Sequence, residues 1–146
     1  MRVRVLLTVA FMMLAGSAFA HVSIRPREAK AGATDTYTVR VPTEGSTATI
    51  VVVIEIPSGV TVTSVAGAPD THEETRANGV VTSIRWKVNI APGDAQEFTF
   101  VATIPAKTGD LTWKAHQGFA DGTFSDWVEA PSGRRPAPIT KVATQP

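Results

Sequence analysis

The residue best placed to do chemistry is His21, which directly follows the cleavage pattern Ala18-Phe19-Ala20. Two early arginines, an apolar run too short to span a bilayer comfortably and this small-residue ending are typical of a secretory signal peptide. Cleavage after Ala20 would leave His21 with a free α-amine beside its imidazole ring. The amine nitrogen and the ring Nδ1 of one histidine can close a six-membered chelate around a metal ion, so removal of the leader would create a metal site.

The chain offers only nitrogen and oxygen ligands for such a site. It has no cysteine, and its three methionines, Met1, Met12 and Met13, all lie in the predicted leader. This excludes cysteine-rich zinc sites, blue-copper sites and methionine-rich copper(I) sites. Amine and imidazole nitrogens suit Cu(II), which is the strongest binder of the divalent series. The alternative N-terminal copper motif needs a histidine third in the processed chain, where this sequence has Ser23.

Length and charge limit the remaining function classes. The chain has 146 residues, enough for one domain with a single core. Loss of residues 1–20 removes two arginines and no acidic residue, so the formal net charge falls from +1 to −1. This excludes nucleic-acid binding driven by bulk charge and argues against adhesion to anionic membranes. Because no second apolar run follows, we expect no membrane anchor after cleavage.

No catalytic signature accompanies His21. The sequence lacks G-x-S-x-G, a phosphate-binding glycine loop and H-E-x-x-H. The paired carboxylates Glu73 and Glu74 lie in a polar stretch, where a solvated pair of charges is the ordinary outcome. We therefore expect a binding protein and not an enzyme.

The elements that must position His21 are predicted to be short strands. Apolar and polar residues alternate in residues 36–41 and 96–104, and residues 47–56 are almost entirely β-branched. Turn residues separate about eight such strands at regular spacing, and nothing indicates a helix or a repeat. The fold class is therefore all-β, an immunoglobulin-like antiparallel β-sandwich. The expected organisation is a signal peptide at 1–20, a sandwich domain at 21–142 and a flexible tail at 143–146.

The second half of the chain carries three further structural expectations. Residues 66–79 are polar and rich in turn residues, which predicts a loop with at most a ragged edge strand. Residues 111–119 and 124–128 are predicted to be two strands that pair with each other. Residues 138–142 form the last predicted strand, after a proline-rich segment.

Several motifs resemble a known family. The predicted mature chain opens with His21-Val22, continues with Pro26-Arg27-Glu28 and enters a strand at Tyr37 that ends at Val41-Pro42. This opening is similar to that of the YcnI-like family of exported bacterial proteins, whose mature forms begin with His-Val and carry Pro-x-Glu. Further resemblance lies in residues 54–60, 92–100 and 111–127, so the similarity covers nearly the whole predicted mature chain.

The resemblance implies an immunoglobulin-like β-sandwich with a Cu(II) site called a monohistidine brace. In that family the metal takes the N-terminal amine and ring nitrogen of the first histidine plus a carboxylate, with a tryptophan close by. The matching residues here are His21, Glu28 and Trp127, with Asp35 and Trp113 as second choices. The family handles copper outside the cytoplasm, often beside CopC/CopD-type copper proteins. We therefore expect a copper carrier, buffer or metallochaperone, secreted across the inner membrane into the periplasm.

Some of these side chains also have an ordinary structural interpretation, without a role at a metal. Glu28 could be a surface carboxylate, and Trp127 could be a ring of the sandwich core. His116 is expected to pack at the edge of the core, although as a further nitrogen ligand it would make a two-histidine brace. His72 is expected to be solvated, and Trp86 is assigned to the core.

Two other function classes stay open at this point. A copper-dependent polysaccharide monooxygenase would also begin with a histidine on a β-sandwich, but it needs a second histidine and a flat aromatic face. A metal-free immunoglobulin-like module would bind a protein partner through an exposed edge strand. In that case, replacement of His21 would change no measurable function.

Overall fold

The computed structural model describes residues 21–145 as a β-protein. The predicted signal peptide at residues 1–20 lies outside the described residues, as does Pro146. No helix within residues 21–145 is long and apolar enough to cross a membrane. The strands, in chain order, are β1 (Ser23–Arg25), β2 (Glu28–Lys30), β3 (Thr34–Pro42), β4 (Thr49–Glu55), β5 (Thr61–Val65), β6 (His72–Ala77), β7 (Val80–Ile90), β8 (Ala95–Thr103), β9 (Gly109–Thr112), β10 (Ala115–Phe119), β11 (Phe124–Trp127) and β12 (Ile139–Ala143).

The strands form three sheets. The first has the order β1-β3-β8-β5 and the second the order β11-β10-β4-β7-β6. All pairs within these two sheets are antiparallel, and their buried side chains share one hydrophobic core. A smaller sheet, β2-β12-β9, contains the parallel pair β2–β12. The predicted antiparallel sandwich is confirmed.

Alternation along the strands builds the core. In β3, Tyr37, Val39 and Val41 are fully buried, and the residues between them are not. The ring of Trp113 packs 5.0 Å from that of Tyr37 and 5.7 Å from that of Phe100, centroid to centroid. Burial, with a smaller contribution from the negative charge of Asp35, raises the pKa of Tyr37 to about 12.

Trp113 and Trp86 are both core residues. Trp113 is fully buried, and its indole Nε1 donates a hydrogen bond to Thr140 Oγ1 at 3.1 Å. Trp86 is buried against Phe98, as the sequence predicted. The second choice for the metal-site tryptophan therefore has a structural role, because a buried indole with a satisfied N–H stabilises the core.

Three expectations about the elements need correction. Residues 66–79, predicted as a loop with at most a ragged edge strand, contain a 3-10 turn at Pro69–Thr71 and then the edge strand β6 of six residues. The predicted strand at 111–119 is divided between β9 and β10, which belong to different sheets. With β1 and β2, which the sequence analysis did not predict, β6 and this division raise the number of strands from about eight to twelve in the described chain. The tail segment at 143–146 begins within β12, and the Gln145 side chain donates to Ala31 O at 2.9 Å.

Strand register decides which residues lie near His21. In the β1–β3 pair Ser23 lies opposite Arg40 and Ile24 opposite Val39. Following this antiparallel register backwards from Ser23 brings His21 to the Pro42 end of β3. Asp35 lies at the other end of that strand, seven residues or roughly 23 Å away.

Candidate metal site

His21 stands at the start of the described chain with its side chain exposed. Val22 and Ile24, which follow it, are 4% and 2% exposed and anchor this end of the chain in the core. The His21 ring lies 5.6 Å from the ring of Trp127, centroid to centroid, at an interplanar angle of 57°. Within residues 21–145 neither ring nitrogen of the imidazole has a hydrogen-bond partner.

Trp127 is held in place by a buried polar network. It ends β11, is 7% exposed, and donates from Nε1 to Gln117 Oε1 at 3.2 Å. Gln117, only 2% exposed, donates in turn to Pro42 O at 2.9 Å and to Thr49 Oγ1 at 2.7 Å. Because each buried polar group here has a partner, the network fixes the indole relative to the end of β3.

The same network leads to a carboxylate that the sequence analysis did not select, Glu44. Thr43 is buried, bonds Thr49 through their hydroxyls at 2.7 Å, and exchanges backbone hydrogen bonds with Gly93 and Asp94. Glu44 follows it and lines a groove of about 250 Å³ together with Trp127. The register of β1 brings His21 to this same end of β3. In the sequence, the feature that points to Glu44 is its position directly after Thr43, at the Val41-Pro42 end of the predicted strand.

Glu28 lies elsewhere. It begins β2, pairs with Lys141 of β12, and lines a groove with Lys30, Lys141 and Val142. His21 lines a different groove, of about 310 Å³. The structure therefore brings the rings of His21 and Trp127 together, while Glu28 lines neither the groove of His21 nor that of Trp127. The assignment of Glu28 as a ligand stays a prediction that a variant can test.

Asp35, the second choice for the carboxylate ligand, makes a hydrogen bond with its neighbour in the chain. Its Oδ1 accepts a hydrogen bond from the backbone N–H of Thr36 at 2.8 Å. Its position at the far end of β3 also separates it from the Pro42 end, where His21 lies.

His116 lies on the outer face of the five-stranded sheet and ties three strands together. Its Nδ1 is 2.7 Å from Asp126 Oδ1 on β11, and its Nε2 is 2.9 Å from Glu55 Oε2 on β4. Since neighbouring residues of a strand face opposite sides, His116 points away from Gln117, which contacts Trp127. A carboxylate thus occupies each ring nitrogen, and the expected alternative of a second brace histidine receives no support from this geometry.

The charge state of His116 follows from these partners. Desolvation lowers its pKa, but the hydrogen bonds and negative charges of Asp126 and Glu55 outweigh that effect, so the pKa is raised from 6.5. Both ring nitrogens can donate to carboxylates only when the imidazole is protonated. His116 therefore stabilises the fold as a cation that crosslinks β4, β10 and β11.

The stability of the protein should depend on this cation. Because the folded pKa is raised, its contribution is complete below about pH 6.5 and is lost as pH rises through the folded pKa. We expect His116→Gln to lower the free energy of unfolding by about 1 kcal/mol at pH 6 and by less at pH 9. Urea unfolding of both proteins across this range measures the difference. An equal loss at both pH values would contradict the charged crosslink.

The donor set at His21 suits a brace. Among residues 21–145, no three histidine, aspartate and glutamate side chains form a group that could hold a metal. A monohistidine brace needs only one imidazole, the amine of the same residue and one carboxylate. The exposed imidazole of His21, with the exposed carboxylate of Glu44 near the same tryptophan, fits that smaller set and matches the nitrogen and oxygen donors that Cu(II) accepts.

Comparison with known proteins identifies a family and a relative of this chain. Residues 21–142 match the domain of unknown function DUF1775. The chain is 31% identical to the copper-binding protein CutI of Bacillus subtilis (strain 168), across 92% of this chain and 68% of that protein.

Solved structures agree on the fold. An uncharacterized protein from Nocardia farcinica with an immunoglobulin-like fold is 26% identical, with a TM-score of 0.74 over 86% of this chain and 99% of that one. A cohesin module of a Clostridium perfringens family 33 glycoside hydrolase gives a TM-score of 0.54 at 13% identity, over 86% of this chain and 97% of that module. The second likeness concerns the fold alone.

Proposed function

Because the chain belongs to the DUF1775 family, the YcnI-like family that its motifs indicated, we propose that it is an exported Cu(II)-binding protein. It holds one copper ion in a monohistidine brace formed by His21 after cleavage behind Ala20. The observation that carries the proposal is the position of His21: an exposed imidazole without a hydrogen-bond partner in residues 21–145, beside a tryptophan locked by a buried network. The copper-binding relative supports the choice of metal.

The brace combines two nitrogens of one residue. The ring nitrogen and the amine of His21 would occupy adjacent coordination positions, and both must be deprotonated to bind. The indole of Trp127 lies beside the imidazole at a tilt of 57° and limits the orientations that the exposed ring can adopt.

We assign the carboxylate ligand to Glu44. It lines the groove that contains Trp127, and the Thr43–Thr49–Gln117 network holds its backbone at the end of β3 where His21 also lies. Glu28, which the family motif favours, is the alternative ligand and lines another groove. A carboxylate in either position would lower the net charge of the bound copper from +2 to +1.

The copper is cargo in this proposal, and the protein is a carrier, buffer or metallochaperone of the periplasm. CopC/CopD-type copper proteins are the proposed exchange partners. A polysaccharide monooxygenase is disfavoured because the ring nitrogens of His116 are occupied by carboxylates. His72 lies on β6, at the opposite edge of the five-stranded sheet from β11 and Trp127.

Three measurements on protein exported by a bacterial host test the proposed function together. Intact mass should show a chain that begins at His21. Titration with Cu(II) should saturate at one ion per chain, with nitrogen hyperfine structure in the electron paramagnetic resonance (EPR) spectrum. Incubation of the copper form with cellulose or chitin and a reductant should release no oxidised sugars. A mature chain with no copper affinity would refute the proposal, and oxidised products would favour the enzyme.

A further inference from the structure

The groove beside His21 contains an arginine that the copper proposal does not use. The groove has a volume of about 310 Å³, and most residues that line it are apolar. Among the described residues that line it, Arg27 alone carries a fixed charge. In residues 21–145 its guanidinium has no ion pair or hydrogen bond. The groove therefore presents one unpaired cation next to an apolar surface and next to His21.

The backbone around Arg27 is fastened to the domain. The amide of Lys141 donates to Arg27 O at 2.8 Å, and the hydroxyl of Thr140 donates to Pro26 O at 2.8 Å. Thr140 is itself buried and accepts the hydrogen bond from Trp113. These bonds hold the backbone of Arg27 in place. The conformational entropy lost when Arg27 binds a ligand is therefore mainly that of its own side-chain rotamers.

The surfaces that line the rest of the groove favour a short hydrocarbon. They come from Val22 and Ile24 at the start of the chain and from Pro131, Pro138 and Ile139 on the segment before and at β12. A volume of about 310 Å³ is at the small end of the range for small-molecule sites. An apolar tail of a few carbons would bury surface there without leaving polar groups unpaired.

The proposed copper site adds a reason for the ligand to be an anion. Two neutral nitrogens and one carboxylate would leave a bound Cu(II) with a net charge of +1 and able to accept a further oxygen ligand. Arginine pairs with carboxylates through two parallel hydrogen bonds and keeps its charge at all relevant pH values. An anion near both the copper and Arg27 would be attracted by each of them.

We propose that the Arg27 groove binds a small aliphatic carboxylic acid, whose carboxylate is held by Arg27 and completes the coordination of the Cu(II) at His21. This inference rests on the proposed function and extends it: the protein would carry copper together with a small organic acid. The acid would be an exchangeable ligand of the copper, because it could dissociate while the protein's own copper ligands stay bound.

Butyrate and acetate are the probes for this site. Protein that begins at His21 is loaded with one Cu(II) and titrated with each acid at constant ionic strength, while the EPR spectrum is recorded. We expect a saturable spectral change. Butyrate should bind roughly three- to tenfold more tightly than acetate, because its two additional CH₂ groups enter the groove. Arg27→Ala should raise the apparent Kd for butyrate about fivefold, a modest effect because Arg27 is exposed.

The matched control for Arg27→Ala is a second arginine variant. Arg134→Ala removes an exposed arginine that does not line this groove, and it should leave the Kd for butyrate unchanged. Equal binding of both acids, or an equal Kd in the Arg27→Ala variant, would overturn the inference and leave only coordination to the metal. Failure of the protein to bind copper would appear before any acid is added, and it would refute the proposed function instead.

Discussion

Replacement of His21 with alanine is expected to weaken Cu(II) binding more than about 100-fold. The substitution removes the imidazole and breaks the chelate, and changes to groups around metal ligands alone cost 10–100-fold. The fold should not change, because the His21 side chain is exposed while Val22 and Ile24 anchor the strand. Competition with a chromophoric chelator of known affinity measures the loss, and the urea midpoint checks the fold.

His72→Gln is the matched control for this variant. His72 lies on β6, at the opposite edge of the five-stranded sheet from β11, which carries Trp127. Its replacement should leave the copper affinity within about twofold of the parent. A parent-like affinity in the His21→Ala variant would place the copper ligands elsewhere and would favour a partner-binding module with incidental metal affinity.

The second large effect is expected at Glu44. Glu44→Gln keeps the shape of the side chain but removes its negative charge, and it should raise the Kd for Cu(II) about 10- to 100-fold. The reason is geometric, since Glu44 shares its groove with Trp127, and the Thr43–Thr49 hydrogen bond fixes its backbone. EPR should also show a changed copper hyperfine coupling, because the proposed carboxylate ligand would be replaced by a neutral amide.

The Glu28→Gln variant distinguishes between the two candidate carboxylate ligands. Glu28 is also an exposed glutamate, but it lies in β2 opposite Lys141. We expect its variant to bind copper like the parent. If instead Glu28→Gln loses affinity and Glu44→Gln does not, the family motif will have identified the ligand and the assignment to Glu44 is wrong.

Local patterns were sufficient to predict much of the fold. Alternation in residues 36–41 and 96–104 predicted β3 and β8, which pair directly in the first sheet. The same period assigned Trp86 to the core, where it packs against Phe98. These predictions succeed because the two faces of a strand are encoded by neighbouring residues, without reference to the rest of the chain.

Long-range contacts explain what the sequence did not reveal. The division of residues 111–119 into β9 and β10 depends on the pairing of β9 with β12 and of β10 with β4, partners that are far apart in the chain. The ion-paired role of His116 likewise depends on Glu55, which is 61 residues away. No local pattern specifies such pairs, so His116 was expected to pack at the edge of the core, with a second brace histidine as the alternative.

The candidate metal site was also only partly predictable from local sequence patterns. His21 was found from the cleavage pattern, and Trp127 was found from the resemblance of residues 111–127 to a family segment. Glu28 was chosen because it matches the Pro-x-Glu motif of the family, whereas Glu44 comes close to His21 through the antiparallel register of β1 and β3. Seven residues of extended chain can carry a carboxylate over 20 Å away, and a neighbouring strand can bring a distant one back.

The most direct test of the copper account compares two chains that differ only at the N-terminus. One begins at His21, and the other carries a single additional alanine before it, which converts the His21 amine into an amide. Cu(II) titration followed by EPR should show tight 1:1 binding through nitrogen donors in the first chain and a loss of more than about 100-fold in the second. Equal binding by both chains would contradict a brace created by processing.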